Sequence, residues 1–135
     1  MAQMIFVNLP VKDLAKSMDF FKALGFAFNP QFTDETAACM VISETIFVML
    51  LTHEKFAGFS PKPITDTSQS LQVLITLSRD SRAAVDAIVK AAVGAGGTSS
   101  DAPTDYGFMY SHDFMDLDGH GWGVMWMDPA AMQQG

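Results

Sequence analysis

The feature that most restricts this chain is that it repeats itself. The run Asn8-Leu9-Pro10-Val11-Lys12-Asp13-Leu14 is echoed by Ile75-Thr76-Leu77-Ser78-Arg79-Asp80-Ser81. Each follows a β-rich stretch and precedes a helical stripe that stops at glycine, after which strand-like runs resume. Asp13 and Asp80 stand 67 residues apart, about half of the 135-residue chain. A repeat of that length is one supersecondary unit used twice, and each half reads β-α-β-β-β. One such sheet cannot bury its own apolar face, so the two modules are expected to pair edge to edge. The fold class that follows is α+β. Two tandem β-α-β-β-β modules form a curled mixed sheet around a central cavity, with helices on the outside. Module one is placed at 4–52, a linker at 53–70 and module two at 71–128.

The local signals agree with this layout. Residues 4–9 have strand composition and Pro10 closes them or marks an edge. Asp13 caps a helix whose stripe is Leu14, Met18 and Phe21, flanked by Phe20 and Leu24 and ended by Gly25. Strands are expected at 26–32, 36–42 and 45–51, the last two joined by a Ser43-Glu44 turn. Two prolines and several Ser and Thr make 52–70 a linker with one helical turn near 54–57. Phe56 and Phe59 within it either cover a cavity or pin the loop. Residues 71–77 form the next strand. Asp80 or Ser81 caps a second helix with the stripe Val85, Ile88, Val89, Ala92 and Val93, ended by Gly94, Gly96 and Gly97. A weak extended segment at 98–106 and a strand at 108–115 follow. Asp118-Gly119 then turns the chain into a last strand, with Trp122, Val124 and Trp126 on one face and Gly123, Met125 and Met127 on the other.

Composition limits the partners. The net charge is −7 and the pI about 4.6, which argues against nucleic acid and anionic membrane. The single cysteine, Cys39, excludes an intramolecular disulfide and reads as a buried, inert thiol. No basic leader or long apolar run stands out, so a cytoplasmic protein with no membrane partner is expected.

The stretch LPVKDLAKSMDFFKALGF, together with the D-x-D-G-H turn at Asp116–His120, resembles the vicinal-oxygen-chelate superfamily. That superfamily contains glyoxalase I, extradiol dioxygenases, the fosfomycin-resistance enzymes and the bleomycin-resistance proteins. The resemblance spans about residues 4–129, with Leu117 where the family pattern usually has proline. It implies a homodimer, and in metal-dependent members four strand positions aim ligands into the cupped sheet. Those positions fall here on Phe6, Leu50, Leu74 (or Gln72, one pleat away) and Gly123. Divalent metals of this chemistry need imidazole or carboxylate donors, so no metal and no cofactor is expected.

Other candidates come from pleating. Phe6 and Asn8 project together, as do Gln72, Leu74 and Thr76. The amides and the hydroxyl suit a polar organic ligand in a mostly apolar pocket, or else satisfy one another in a filled barrel. His112 shares a strand face with Tyr110. If that face is inward, the pair could orient a ligand or move a proton, and His112 and Tyr110 are the catalytic candidates. His53 reads as a solvated loop residue and His120 as part of the terminal turn. Gly123 leaves space, and Met125 beside it could floor a pocket. The function expected is a superfamily protein without the metal site, binding a small organic molecule at Phe6, Asn8, Leu50, Gln72, Leu74, Thr76, His112, Gly123 and Met125. The alternatives are a lyase or dioxygenase-like enzyme using His112/Tyr110 or an unrecognised metal site, and a filled domain serving protein association.

Overall fold

The repeat is realised as two β-α-β-β-β modules. The computed structural model describes residues 2–99 and 102–132. The chain divides into two units between Asp66 and Thr67. The first holds β1 (Ile5–Val11), α1 (Leu14–Ala23), β2 (Ala27–Asn29), β3 (Ala37–Val41), β4 (Ile46–Thr52) and α2 (His53–Phe59). The second holds β5 (Leu74–Ser78), α3 (Arg82–Gly94), β6 (Thr104–Asp105), β7 (Met109–Met115), β8 (Gly121–Met127) and α4 (Pro129–Met132). The strand orders match: β1-β4-β3-β2 in one sheet and β5-β8-β7-β6 in the other. In each, the first and last strands run parallel and the remaining pairs antiparallel.

Caps set the helix starts. The Asp13 carboxylate accepts from the Lys16 N–H at 3.1 Å, which satisfies one of the free donors of the first turn. In the second module the cap is Ser81 rather than Asp80, its hydroxyl accepting from Ala84 N–H at 3.1 Å. Gly25 follows α1 at φ +101°, a conformation that costs glycine little. Strand β2 stops at Asn29, short of the expected 32. The Asn29 side chain accepts from Gln31 N–H at 3.0 Å and begins a 3-10 turn at Pro30–Phe32, where proline has no ladder donor to give. The linker carries two turns of helix, α2, because Thr52 caps it through Lys55 N–H at 3.2 Å.

The faces follow from the register. Phe6 lies beside Phe47, Asn8 beside Met49 and Pro10 beside Leu51 on one face of the β1–β4 pair. The other face carries Leu9, Val11, Val48 and Leu50, which with Leu14, Phe20 and Phe21 of α1 form the first core. Leu50, the position that the resemblance implies, therefore lies on the face opposite Phe6 and Asn8, and Leu51 shares theirs. β4 is an inner strand, and Leu50 and Leu51 are both at most 1 % exposed, so hydrophobicity carries no phase there.

In the second module Trp122, Val124 and Phe114 bury against Val85, Ile88, Val89 and Ala92 of α3. The Phe114 and Trp122 rings lie parallel, 6.1 Å apart with 2° between planes. Each large side chain so buried contributes roughly 1.5–3 kcal/mol. The opposite face is left open, and the candidate site lies on it.

Candidate functional site

The open face of the second sheet is a grid with β8 in the middle. One row is Leu74, Gly121 and Met115; the next is Thr76, Gly123 and Asp113; a third is Ser78, Met125 and Ser111. The first two rows have no side chain at their centre. A Cβ added at Gly121 would come within 2.5 Å of Leu74 Cδ2, and one at Gly123 within 2.7 Å of Thr76 Oγ1. The β5 side chains thus lean over the glycines, and Gly123 is not the empty space expected of it. Between them and the β7 side chains lies a cavity of about 570 Å³ lined by Leu74, Thr76, Asp113, Met115 and both glycines. Leu71, Thr98 and Ser99 edge it.

The polar groups of this cavity differ from those sought in the sequence. Asp113, Ser111 and Thr98, which carry no motif signal in the sequence, all line it. The Asp113 backbone is engaged: its N–H donates to His112 Nδ1 at 2.8 Å and its carbonyl accepts from Ser99 Oγ at 2.8 Å. Its carboxylate accepts no hydrogen bond among the described residues and faces solvent. The alternation of Asp113 with His112 is visible in the sequence, which leaves open the face that points inward.

Tyr110, His112 and Phe114 instead share the α3 side of β7. The Tyr110 hydroxyl donates to Asp86 of α3 at 2.7 Å, and this bond, with burial, pushes the phenol above its ordinary range. Arg82 lies over the Trp126 ring at 4.5 Å and over Tyr110 at 5.9 Å. Tyr110 is therefore held by the helix layer and does not pair with His112 toward the open face. His112 is half-buried and reaches both the cavity wall and a groove against α3. Because Nδ1 accepts from a backbone N–H, the neutral ring carries its proton on Nε2.

The other candidates scatter. Gln72 is exposed ahead of β5, and Met125 lies on the open face outside the cavity. Phe6 and Asn8 belong to the first unit, where Phe6 stacks on Phe47 at 5.0 Å and Asn8 lines a separate cavity with Leu51, Phe56 and Phe59. His53 is exposed at the start of α2. His120 is buried in the terminal turn, but the carboxylate that organises the turn is Asp116. Asp116 accepts from the N–H groups of Asp118 and His120 at 2.9 and 3.0 Å and from Trp122 Nε1 at 3.0 Å. The D-x-D-G spacing, an Asx-type turn signal, could have identified it. Thr67 bonds the Asp118 carbonyl from outside.

The residues at the metal-ligand positions of this fold do not fit a divalent metal. At those positions the first unit offers Phe6 and, on the same face, Leu51, and the second unit offers Leu74 and Gly123, none with an imidazole or carboxylate. At Gly123 Thr76 takes up the room a ligating side chain would use. Among the described residues no group of three or more His, Cys, Asp and Glu converges.

Two mixed βαβββ sheets, each with its helix on one face, define the paired-module class, and the comparisons agree. The family described as Bleomycin resistance protein-like N-terminal matches residues 3–43. A hypothetical protein from S. aureus is 33 % identical, with a TM-score of 0.77 over 93 % of this chain and 94 % of its own. A glyoxalase/bleomycin resistance protein/dioxygenase family enzyme from Burkholderia phytofirmans PsJN is 20 % identical, with a TM-score of 0.76 over 93 % of this chain and 99 % of its own. A glyoxalase-related enzyme from Fulvimarina pelagi is 16 % identical, with a TM-score of 0.76 over 93 % and 88 %. No curated protein matches the sequence. The chain belongs to the vicinal-oxygen-chelate superfamily, the glyoxalase/bleomycin-resistance/dioxygenase group. No helix among the described residues is long and apolar enough to cross a membrane.

Proposed function

We propose that the protein binds a small organic molecule on the open face of its second module, without a metal. The supporting observation is the row Thr76–Gly123–Asp113, which puts a hydroxyl, and a carboxylate with no hydrogen-bond partner among the described residues, on either side of a glycine. Leu71, Leu74 and Met115 supply apolar walls, so the ligand has an apolar body and a donor group, an ammonium or hydroxyl, directed at Asp113. The cavity's 570 Å³ suits a drug-sized molecule. The acidic surface adds attraction for a cation. A homodimer in the cytoplasm fits the resemblance to the bleomycin-resistance branch.

The test is a thermal-shift screen of organic amines, neutral polyols and divalent metals on the wild type and Asp113→Ala. Amine or polyol stabilisation that disappears in the variant supports the reading. Stabilisation by metals alone, or equal stabilisation of both proteins, overturns it.

A further inference from the structure

The outer edge of β7 has backbone partners on either side of Asp113 and side-chain partners at Asp113 itself. Thr104 of β6 lies opposite Ser111. The Met115 N–H donates to the Thr98 carbonyl at 2.7 Å, and the Met115 carbonyl accepts from the Thr98 N–H at 3.1 Å. Successive residues of a strand turn their backbone groups to alternate sides, so Asp113, like Met115, points its N–H and carbonyl away from β8. His112 Nδ1 accepts that N–H at 2.8 Å, and Ser99 Oγ donates to that carbonyl at 2.8 Å. The carboxylate proposed to meet the ligand is thus carried on a peptide that one imidazole and one hydroxyl hold from the side.

The imidazole can hold the Asp113 N–H only while Nδ1 is bare. Ser99 Oγ lies 3.4 Å from the same nitrogen. A protonated Nδ1 no longer accepts from Asp113, but it can donate to the Ser99 oxygen. Imidazole is the side chain that changes charge between about pH 5 and pH 8. The ring shares its outer groove with Asp86 and Lys90 of α3, and the open-face cavity with Asp113. Its other neighbours there, Thr98, Ser99, Pro103 and Val124, carry no charge. Asp86 accepts the Tyr110 hydroxyl at 2.7 Å, and Asp105 of β6 pairs with Arg82 at 3.4 Å. Of these three carboxylates, only that of Asp113 accepts no hydrogen bond among the described residues.

We infer that His112 is a positioning residue that ties the open face to pH. The neutral ring steadies Asp113 through its backbone. The protonated ring releases that peptide, turns to Ser99 and sets a positive charge at the cavity wall, so a cationic ligand is let go on acidification. The inference rests on the proposed binding at Asp113 and adds its regulation.

The test has two arms. In the first, amide and ring-nitrogen resonances of the ligand-free full chain are followed from about pH 8 to about pH 5.5. The ring should carry its proton on Nε2 at the upper end, and the Asp113 amide should shift along the same curve as the ring. That step should be missing in His112→Asn. The second arm is isothermal titration with benzylamine, an apolar ring bearing a cation throughout this range, and with neutral benzyl alcohol. Wild type should bind benzylamine about tenfold more weakly at the acid end, with a smaller loss for benzyl alcohol. Asparagine can accept through Oδ1 in place of Nδ1 but cannot gain a charge, so in His112→Asn the ratio should fall to about one. His53 and His120 remain in that variant, so a pH dependence that survives there belongs to them and overturns the inference. An Asp113 amide that ignores the ring overturns it equally. If the amide follows the ring but benzylamine binds at neither pH, the proposed ligand class fails while the coupling of His112 to Asp113 is upheld.

Discussion

Replacing Asp116 by alanine should unfold the end of the second module well before any ligand effect is seen. Asp116 is 6 % exposed, and its two oxygens take three donors: two backbone N–H groups of the turn and the Trp122 indole. Trp122 is 1 % exposed and cannot turn its Nε1 to water. Truncation would take the carboxylate acceptor from that donor and from the His120 N–H, both buried, at roughly 1–3 kcal/mol each, so about 2–6 kcal/mol in total is expected. Asp116→Asn can still accept two of the three and should cost about 1–2 kcal/mol. Urea unfolding followed by tryptophan fluorescence reads both, since Trp122 reports the site directly. The charge itself works the other way. Burial raises the Asp116 pKa above its ordinary value, with His120 and the three hydrogen bonds opposing. A carboxyl raised in the folded state binds its proton more tightly there than in the unfolded chain. Its linkage contribution is therefore fully present below the unfolded value of 3.8 and lost as pH rises through the folded one. Across that window, wild type should gain on Asp116→Asn as the solution is acidified. An alanine variant less than about 1 kcal/mol below wild type, or a wild-type advantage that grows with rising pH, would refute the reasoning.

Three further substitutions probe the same module. Gly123→Ala should lose about 1–3 kcal/mol by overpacking against Thr76, and Thr76→Ala in the same chain should recover most of it in a double-mutant cycle. Gly121→Ala should cost less by urea unfolding, since the Leu74 methyl it meets is the far end of a movable side chain. Tyr110→Phe should lower the melting temperature while leaving affinity for any second-module ligand unchanged in titration, because the hydroxyl serves Asp86 on the far side of the sheet.

Much of this fold could be read from residues whose signals are local. The repeat, the Asp13 cap, the Asp118-Gly119 turn with Gly119 at φ +84°, and the bulky face of β8 all depend on a few neighbours. The sequence is less decisive where the deciding force is tertiary. Phe47 to Leu51 is apolar at every position and sheltered on both faces beyond its midpoint, so no alternation tells Leu50 from Leu51. On β7 the sequence leaves open which face of the strand meets the helix, and Asp86, 24 residues earlier, decides it by accepting the Tyr110 hydroxyl. The same open choice of face kept Asp113 from standing out. The linker looked irregular because α2 is two turns long and gets its aromatic contacts from β1 and β4 rather than from its own stripe.

The central claim is that the second module's open face recognises an organic ligand through Asp113 and Thr76 where relatives of this fold would hold a metal. Elemental analysis after dialysis against Zn²⁺, Ni²⁺ and Mn²⁺, on wild type and on Asp113→Ala, tests it most directly. No stoichiometric metal in either protein is the predicted result. One equivalent retained by wild type and lost in Asp113→Ala would contradict the account, because it would make that carboxylate a metal ligand.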